Sequence, residues 1–447
     1  MAQQWRDWYE SRRVAAAEAV SHVKPGDRIY SAPGQPVLVL VEALLARLEP
    51  GQPRIEYTAL PGWDMSWYTD EVAEMLHIDV VFGGAYSRQH INDHRAGFTP
   101  WWIWGGHKAL DENRPGARPL DVAFFGVSPP NENGYCCFGN ALWDAKKTAL
   151  MAGTAIAVVN ESIIPTFGDT WIHVSEVDWF VEHTVPRVDS RAAYAAAEPW
   201  DLPIAEYVAS QINDGDTIQL GLGSTTGNIV RSGVLDSKHD LGYFAELTVP
   251  GTVELAMKGV ITGRKMNTHP GKFVTTTAGG GPDEVDFIAG NPMFEFYSTD
   301  YMHSPIAIAQ NENMVAVNNA LAIDLTGQVA SGQFGRSVWS GTAGQFSYHL
   351  GAFMAKGGRA IIILPSTARD GTVSRIKPEF EAGQIVTLTR DIADIVVTEF
   401  GIARLLNKNE RERTQELVAV AHPDFRAELR KAANRYFPGY PGDVETT

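Results

Sequence analysis

In the stretch DLGYFAELTVPG, Asp240 to Gly251, the acid Glu246 stands among Leu241, Tyr243, Phe244, Leu247 and Val249. No basic residue lies between Asp240 and Gly251 to pair with it. Two readings of such a carboxylate stand: a surface group between exposed apolar residues, or an acid placed where a ligand binds. Upstream, TIQLGLGSTTGNIV sets Gly221, Gly223 and Gly227 where a strand is expected to give way to a helix. A loop of this kind, Gly221-Leu222-Gly223-Ser224-Thr225, can turn backbone N–H groups toward an anion, and the helix N-terminus adds a favourable dipole. A dinucleotide fingerprint fits less well, because the spacing is G-x-G-x-x-x-G rather than G-x-G-x-x-G, although Glu246 falls near the place of a ribose-binding acid. A second glycine cluster, VWSGTAGQFSYHLGAFMAKGGRAIIILPS, carries Gly341, Gly344 and Gly351 ahead of Lys356, Gly357, Gly358 and Arg359. It reads equally as a turn before a helix and another before a strand, or as backbone donors and a cation facing an anionic ligand.

Histidines offer less chemistry. HINDH places His90 and His94 four apart around Asp93, and HVSEVD places His173 near Glu176 and Asp178. Neither has a third ligand at diagnostic spacing, so structural hydrogen bonds are the expectation and no metal is expected. TPWWIWGGH reads as core or subunit packing ahead of a substrate wall. The two cysteines, Cys136 and Cys137, are adjacent, which gives neither a disulfide framework nor a zinc spacing.

Composition narrows the classes. A net charge of −16 across 447 residues argues against nucleic-acid binding, which needs a basic face. An anionic ligand must then be held by local donors. The opening MAQQWRDWYESRRVAAAEAV carries charges throughout, unlike a signal peptide. No stretch approaches the roughly 20 apolar residues that span a bilayer. A reduced, cytoplasmic protein with no membrane partner is expected.

The elements that must position these residues show an internal echo. AVSHVKPGDRIYSAPGQPVLVLVEALLARL and YVASQINDGDTIQLGLGSTTGNIVRSGVL both read as helix, Gly-Asp turn, short strand, glycine-containing loop and helix. The Gly-Asp turns at Gly26 and Gly215 lie 215 − 26 = 189 residues apart. Strand-length apolar runs (DVAFFGV, AIAVVN, MVAVNNAL, AIIILP, DIVVTEFG) alternate with helical stretches, a pattern of mainly parallel sheets covered by helices. The expectation is an α/β protein of two domains of related topology, residues 1–190 and 200–447, joined around Val185 to Pro203. Glu246, 246 − 223 = 23 residues past the middle glycine, then falls at the mouth of the next strand, the edge at which open α/β sheets bind ligands.

Longer motifs carry a resemblance over nearly the whole chain. VSPPNENGYC, GDTWIHVSEVD, GLGSTTG, NNALAIDLTGQV, SGTAGQ, PSTARDGTVSRIKP, VVTEFGIARL and AHPDFR, in this order, resemble the acetyl-CoA hydrolase/transferase family of CoA-transferases, close to 4-hydroxybutyrate and butyrate:acetate CoA-transferases. The resemblance implies paired NagB/RpiA/CoA-transferase-like α/β domains and a homo-oligomer. It also implies acyl-CoA and a small carboxylic acid as substrates, with no tightly bound cofactor. Leu241, Gly242 and Glu246 match the family's Leu-Gly-x-x-x-Glu, which makes Glu246 the nucleophile. Gly221 to Thr225 match the CoA loop, and Leu321, Gly344 and Arg359 match further CoA contacts, with Gly344 also serving the chemistry. The implied route runs through an acyl-glutamyl anhydride and a glutamyl-CoA thioester. Departures from the family pattern are Phe244 and Ala245 for His-Ser, Leu247 for Met, Pro250-Gly251 for Asp-Gly, GTAG for Gly-Thr-Gly-Gly, and Arg359 for Lys. They favour a more apolar acid than 4-hydroxybutyrate. An acyl-CoA hydrolase of the same family, an NAD-dependent oxidoreductase and a non-catalytic CoA-binding protein are the alternatives.

Overall fold

The computed structural model describes residues 2–31, 37–59, 65–193 and 195–436. It divides into two compact units, Met1–Asp189 with Val274–Met302, and Ser190–Phe273 with His303–Thr447. The first boundary falls inside the expected junction. Residues 274–302 group with the first unit, so the second is not one continuous stretch.

In the first unit seven strands form one parallel sheet: β1 (Arg28–Ser31), β2 (Ile55–Ala59), β3 (Leu76–Val80), β4 (Gly97–Phe98), β5 (Val122–Val127), β6 (Thr154–Val159) and β7 (Trp179–Glu182). Their order is β7-β6-β5-β1-β2-β3-β4. Central β5 is buried at every position, as expected of a parallel strand covered on both faces. The glycine loop expected after β1, at Gly34, lies outside the described residues; helix α1 (Leu38–Leu45) follows it.

The second unit repeats the plan. In its main sheet run β8 (Thr217–Leu220), β9 (Gly242–Leu247), β10 (Met314–Asn319), β11 (Arg359–Ile363), β12 (Ile395–Thr398) and β13 (Gly401–Arg404). They run in the order β13-β12-β11-β10-β8-β9, and of these neighbours the edge pair β12–β13 is antiparallel and the rest are parallel. As β1 lies between β5 and β2, so β8 lies between β10 and β9. The echo in the sequence is therefore an echo in topology: each half changes direction beside its first strand. Beside such a change of direction, at the carboxyl ends of the flanking strands, open α/β sheets take their ligands, which points here to the ends of β8 and β10.

Burial in the inner strands of this sheet is nearly complete. β8 and β12 are buried at every position and β10 at all but its last. The polar residues within it therefore stand out. Gln219 and Asn318 exchange amide hydrogen bonds of 3.1 and 3.0 Å across β8 and β10, which satisfies the donor and acceptor each would otherwise bury unpaired. Glu246 is another. Among the described residues, no helix is long and apolar enough to cross a membrane.

Candidate active site

Leu220 ends β8, and the chain leaves the sheet as Gly221-Leu222-Gly223 before helix α2 (Ser224–Arg231). Close approach explains the glycines. A Cβ at Gly221 would lie 2.1 Å from Asn318 Oδ1, and one at Gly223 2.2 Å from Asn319 Nδ2. Gly223 also has φ +147°, which a residue with a Cβ rarely adopts. Asn319, the last residue of β10, donates to the Leu222 carbonyl and to Thr226 Oγ1, both at 3.0 Å. Thr226 Oγ1 in turn donates to the Gly221 and Gly223 carbonyls. With its carbonyls drawn into this network, the loop leaves Leu222 52% exposed.

Glu246 is the penultimate residue of β9 and only 9% exposed. The register pairs Ile218 with Tyr243, and continuing it three residues sets Gly221 level with Glu246. The carboxylate does have polar company, supplied from far along the chain. His303, fully buried, donates from Nε2 to Glu246 Oε2 at 2.8 Å. Local sequence fixes where His303 sits: Ser304 accepts from the Ala307 N–H, Pro305 takes the first helical position, and helix α3 (Pro305–Ala309) starts at once. Helix α4 (Gln345–Met354) packs closely on α3 because Gly351 has no side chain; a Cβ there would be 2.5 Å from Ile308 Cγ2.

At the start of α4, Gly344 touches the carboxylate. A Cβ on it would lie 2.4 Å from Glu246 Oε2, 3.1 Å from His303 Nε2 and 3.1 Å from Tyr348 Cδ2. Ala343 before it holds a φ of +46°. Tyr348, one turn into α4, sets its ring edge-on to His303 at 5.6 Å. Burial, then the charge of Glu246, raises its phenol pKa well above the usual value. The neutral hydroxyl finds no hydrogen-bond partner among the described residues. Gln345 closes the circuit, donating from Nε2 to the Asn319 carbonyl at 3.2 Å. Nucleophile candidate, glycine cap and glycine loop are thus linked through α4 and the end of β10.

The second glycine cluster divides. Gly344 belongs with Glu246, whereas Gly351 serves helix packing, and Gly357 (φ +70°) with Gly358 turns the chain from α4 into β11. Arg359 is not brought to the glycine loop. It opens β11 level with Val315, at the amino end of the strands, and donates to Asp216 Oδ2 at 2.6 Å. Burial raises the Asp216 pKa despite that partner. Lys356 is exposed and pairs with Glu312. Leu321 is half-buried, its N–H donated to the Ala330 carbonyl and its own carbonyl accepting from Arg375, so only its side chain can meet a ligand. Of the residues flanking the acid, Phe244 shares its strand face and is fully buried; Ala245 and Leu247 point to the opposite face.

Elsewhere, His90 lies against Arg95 and His173 caps a turn through Ser175. Among the described residues no three His, Cys, Asp or Glu side chains gather as a metal site. Trp101 lines a cavity of about 210 Å³ in the first unit with Tyr30, Asp79 and His107.

Comparison with known proteins gives this geometry a family. Residues 1–189 match the acetyl-CoA hydrolase/transferase N-terminal domain and residues 280–433 its C-terminal domain. The 4-hydroxybutyrate coenzyme A transferase of Clostridium kluyveri is 37% identical over 97% of this chain and all of its own length. The chain belongs to the acetyl-CoA hydrolase/transferase family. The succinyl-CoA:cyclohexane-1-carboxylate CoA transferase of Geobacter metallireducens is 33% identical over 96% of both chains. The crystal structure of RipA from Yersinia pestis superposes with a TM-score of 0.87 at 30% identity, over 97% of this chain and 99% of that one.

Sequence reasoning misses His303, Tyr348, Asn319 and Gln345. A lone histidine before Ser-Pro and an amide ending an apolar strand carry no spacing signal, and only the fold sets them beside Glu246 and the loop.

Proposed function

We propose that this family member is a CoA-transferase acting on an acyl-CoA and a carboxylic acid, with Glu246 as its nucleophile. The observation that carries the reading is a buried carboxylate at the carboxyl end of a central strand. It is level with a glycine loop at the sheet's switch point and in contact with the bare backbone of Gly344. The names of the relatives, which are CoA transferases over nearly the full chain, support the same reaction class.

In this reading the Gly221–Thr225 loop and Leu321 receive CoA. The Glu246 carboxylate attacks the thioester carbonyl, the C–S bond breaks, and an acyl-glutamyl anhydride and CoA thiolate result. The thiolate then attacks the glutamyl carbonyl and expels the first acid, leaving a glutamyl-CoA thioester. A second acid reverses both steps. Activation is conserved because anhydride and thioester are both high-energy acyl groups, whereas a serine ester would not be. The N-terminal end of α4 favours negative charge beside Glu246, and an N–H aimed at a tetrahedral oxyanion contributes about 3–4 kcal/mol in serine proteases. Burial of Glu246 restricts water, whose attack on the anhydride would make the enzyme a hydrolase.

Incubation with an acyl-CoA, borohydride reduction and peptide mass spectrometry test the assignment. Wild type is expected to trap a reduced Glu246, and Glu246→Gln neither to trap it nor to turn over. Turnover above a few per cent in Glu246→Gln refutes the role.

A further inference from the structure

The cavity of about 210 Å³ lies wholly within the first unit, its described lining falling between Arg28 and Leu120. A hole of about 150 Å³ holds a benzene-sized molecule, so this one admits a ligand somewhat larger. Tyr30, Thr58 and Asp79 form its floor, side by side on β1, β2 and β3 and directed to one face of the sheet. One wall is aromatic: the rings of Tyr30, Trp101 and His107 pack on one another with centroids 5.0 to 6.1 Å apart. Asp144, 5% exposed, fixes that wall from behind, its Oδ2 accepting from the Tyr30 hydroxyl at 2.5 Å and from His107 Nε2 at 2.8 Å. Gly106 makes room for the indole, since a Cβ there would lie 2.3 Å from Trp101 Cε2.

Opposite charges line this cavity from separate strands. Asp79 Oδ2 accepts from Thr99 Oγ1 at 2.5 Å, and among the described residues no cation pairs with the carboxylate. Arg28 and Arg118 also line the cavity, and both turn to one acid: Glu56 is 3.4 Å from Arg28 Nε and 2.6 Å from Arg118 Nη1. Asp121 accepts from the main-chain N–H of Arg28, not from its guanidinium. Two guanidiniums thus share a single carboxylate, and one positive charge is left over. Arg28 and Asp79 stand two strands apart and two residues apart along them, which at about 4.8 Å per strand and 3.3 Å per residue separates their Cα atoms by about 12 Å. Val81, Leu110 and Leu120 add apolar lining.

We propose that this cavity is a binding site for a small zwitterion, an ω-amino acid, with its ammonium on Asp79 and its carboxylate on Arg28 and Arg118. The site is separate from the role given to Glu246 and does not rest on it. A simple amine leaves the surplus guanidinium charge unmet, and a simple acid leaves Asp79 without a cation. An α-amino acid carries both charges on one carbon and cannot reach both ends; a short alkyl chain with a charge at each end can, and its methylenes cover the apolar lining. The aromatic wall keeps water from the two ion pairs, which strengthens them.

Calorimetric titration of the full chain with 5-aminopentanoate, beside pentylamine, pentanoate and glycine, tests the site. Saturable binding of 5-aminopentanoate is expected, with each of the other three weaker by about tenfold or more. Asp79→Asn keeps the shape and the bond from Thr99 but loses the charge, and should weaken binding by about tenfold or more. Arg118→Gln, at an exposed position, should weaken it by a smaller factor because Arg28 remains. An acid can also enter the transfer site, so Glu246→Gln is titrated in parallel and is expected to bind 5-aminopentanoate as wild type does. No saturable binding, or equal binding of pentylamine or pentanoate, overturns the proposal. So does binding that survives Asp79→Asn and is lost in Glu246→Gln, which would put the ligand at the transfer site. Should a thermal melt show Asp79→Asn unfolded, the ligand series and Arg118→Gln decide, and unchanged affinity in Arg118→Gln then counts against the site. None of these outcomes alters the case for Glu246 as nucleophile.

Discussion

Gly344→Ala tests the site with one methyl group. Gly344 has φ −77° and ψ −12°, an ordinary helical conformation, so alanine costs nothing in the backbone. The collision is with the carboxylate: the new Cβ would sit 2.4 Å from Glu246 Oε2. Carbon and oxygen in contact settle about 1 Å farther apart than that. The neighbours at 3.1 Å, His303 Nε2 and Tyr348 Cδ2, leave little room to share the shift. The carboxylate must retreat by most of an ångström, and misplacement of that size costs about 10²-fold in rate, or about 2.7 kcal/mol in the barrier. Overpacking should cost about 1–3 kcal/mol of stability, leaving the protein folded. Steady-state kinetics with one acyl-CoA and one acid, beside a thermal melt, give both numbers. The expectation is a kcat lowered about 10²-fold, a KM for acyl-CoA changed far less, and a folded enzyme. A kcat within threefold of wild type would refute the claim that Gly344 is bare because the reacting carboxylate needs its space.

Arg359→Ala should cost stability through Asp216, about 2–3 kcal/mol, because a carboxylate 3% exposed loses its cation; the KM for acyl-CoA should not move. A raised KM at unchanged stability would restore the CoA contact that the family resemblance implied. His349 is fully buried with neither nitrogen hydrogen-bonded among the described residues, and burial pushes its pKa down to about 3. Its folded pKa lies below its unfolded one, so between about pH 6.5 and 3 the unfolded chain takes up a proton that the folded chain refuses. Stability then falls on acidification by about 1.4 kcal/mol per pH unit from this group, and denaturant titrations of His349→Met should show an acid limb shallower by one proton; an unchanged limb would refute this. With Phe244 on the strand face of Glu246, an unsubstituted acyl chain should be preferred over a 4-hydroxyacyl chain by about tenfold in kcat/KM, since a hydroxyl without a partner costs about 1.4 kcal/mol. Equal efficiency, measured side by side, would remove Phe244 from the acyl pocket.

Much of this protein is legible in its amino-acid sequence. Two halves with one topology follow from Gly-Asp turns, strand-length apolar runs and glycine loops, because hydrogen bonding and burial act locally on such patterns. Glu246 is conspicuous because an acid in an apolar strand is costly unless used, and ordered motifs along the chain carry the family. What tertiary structure alone decides is which residues meet that acid. His303 is 57 residues away and Gly344 is 344 − 246 = 98 residues away; neither separation has a period that sequence can display. Their meeting depends on Gly351 admitting Ile308, on Pro305 starting α3, and on β10 lying across β8 from β9. Arg359 shows the reverse. Its charge and its place after two glycines suggest an anion site, but strand direction decides the matter: a residue that opens a parallel strand stands at the amino edge, whereas the glycine loop and Glu246 stand at the carboxyl edge, several residues of about 3.3 Å rise away.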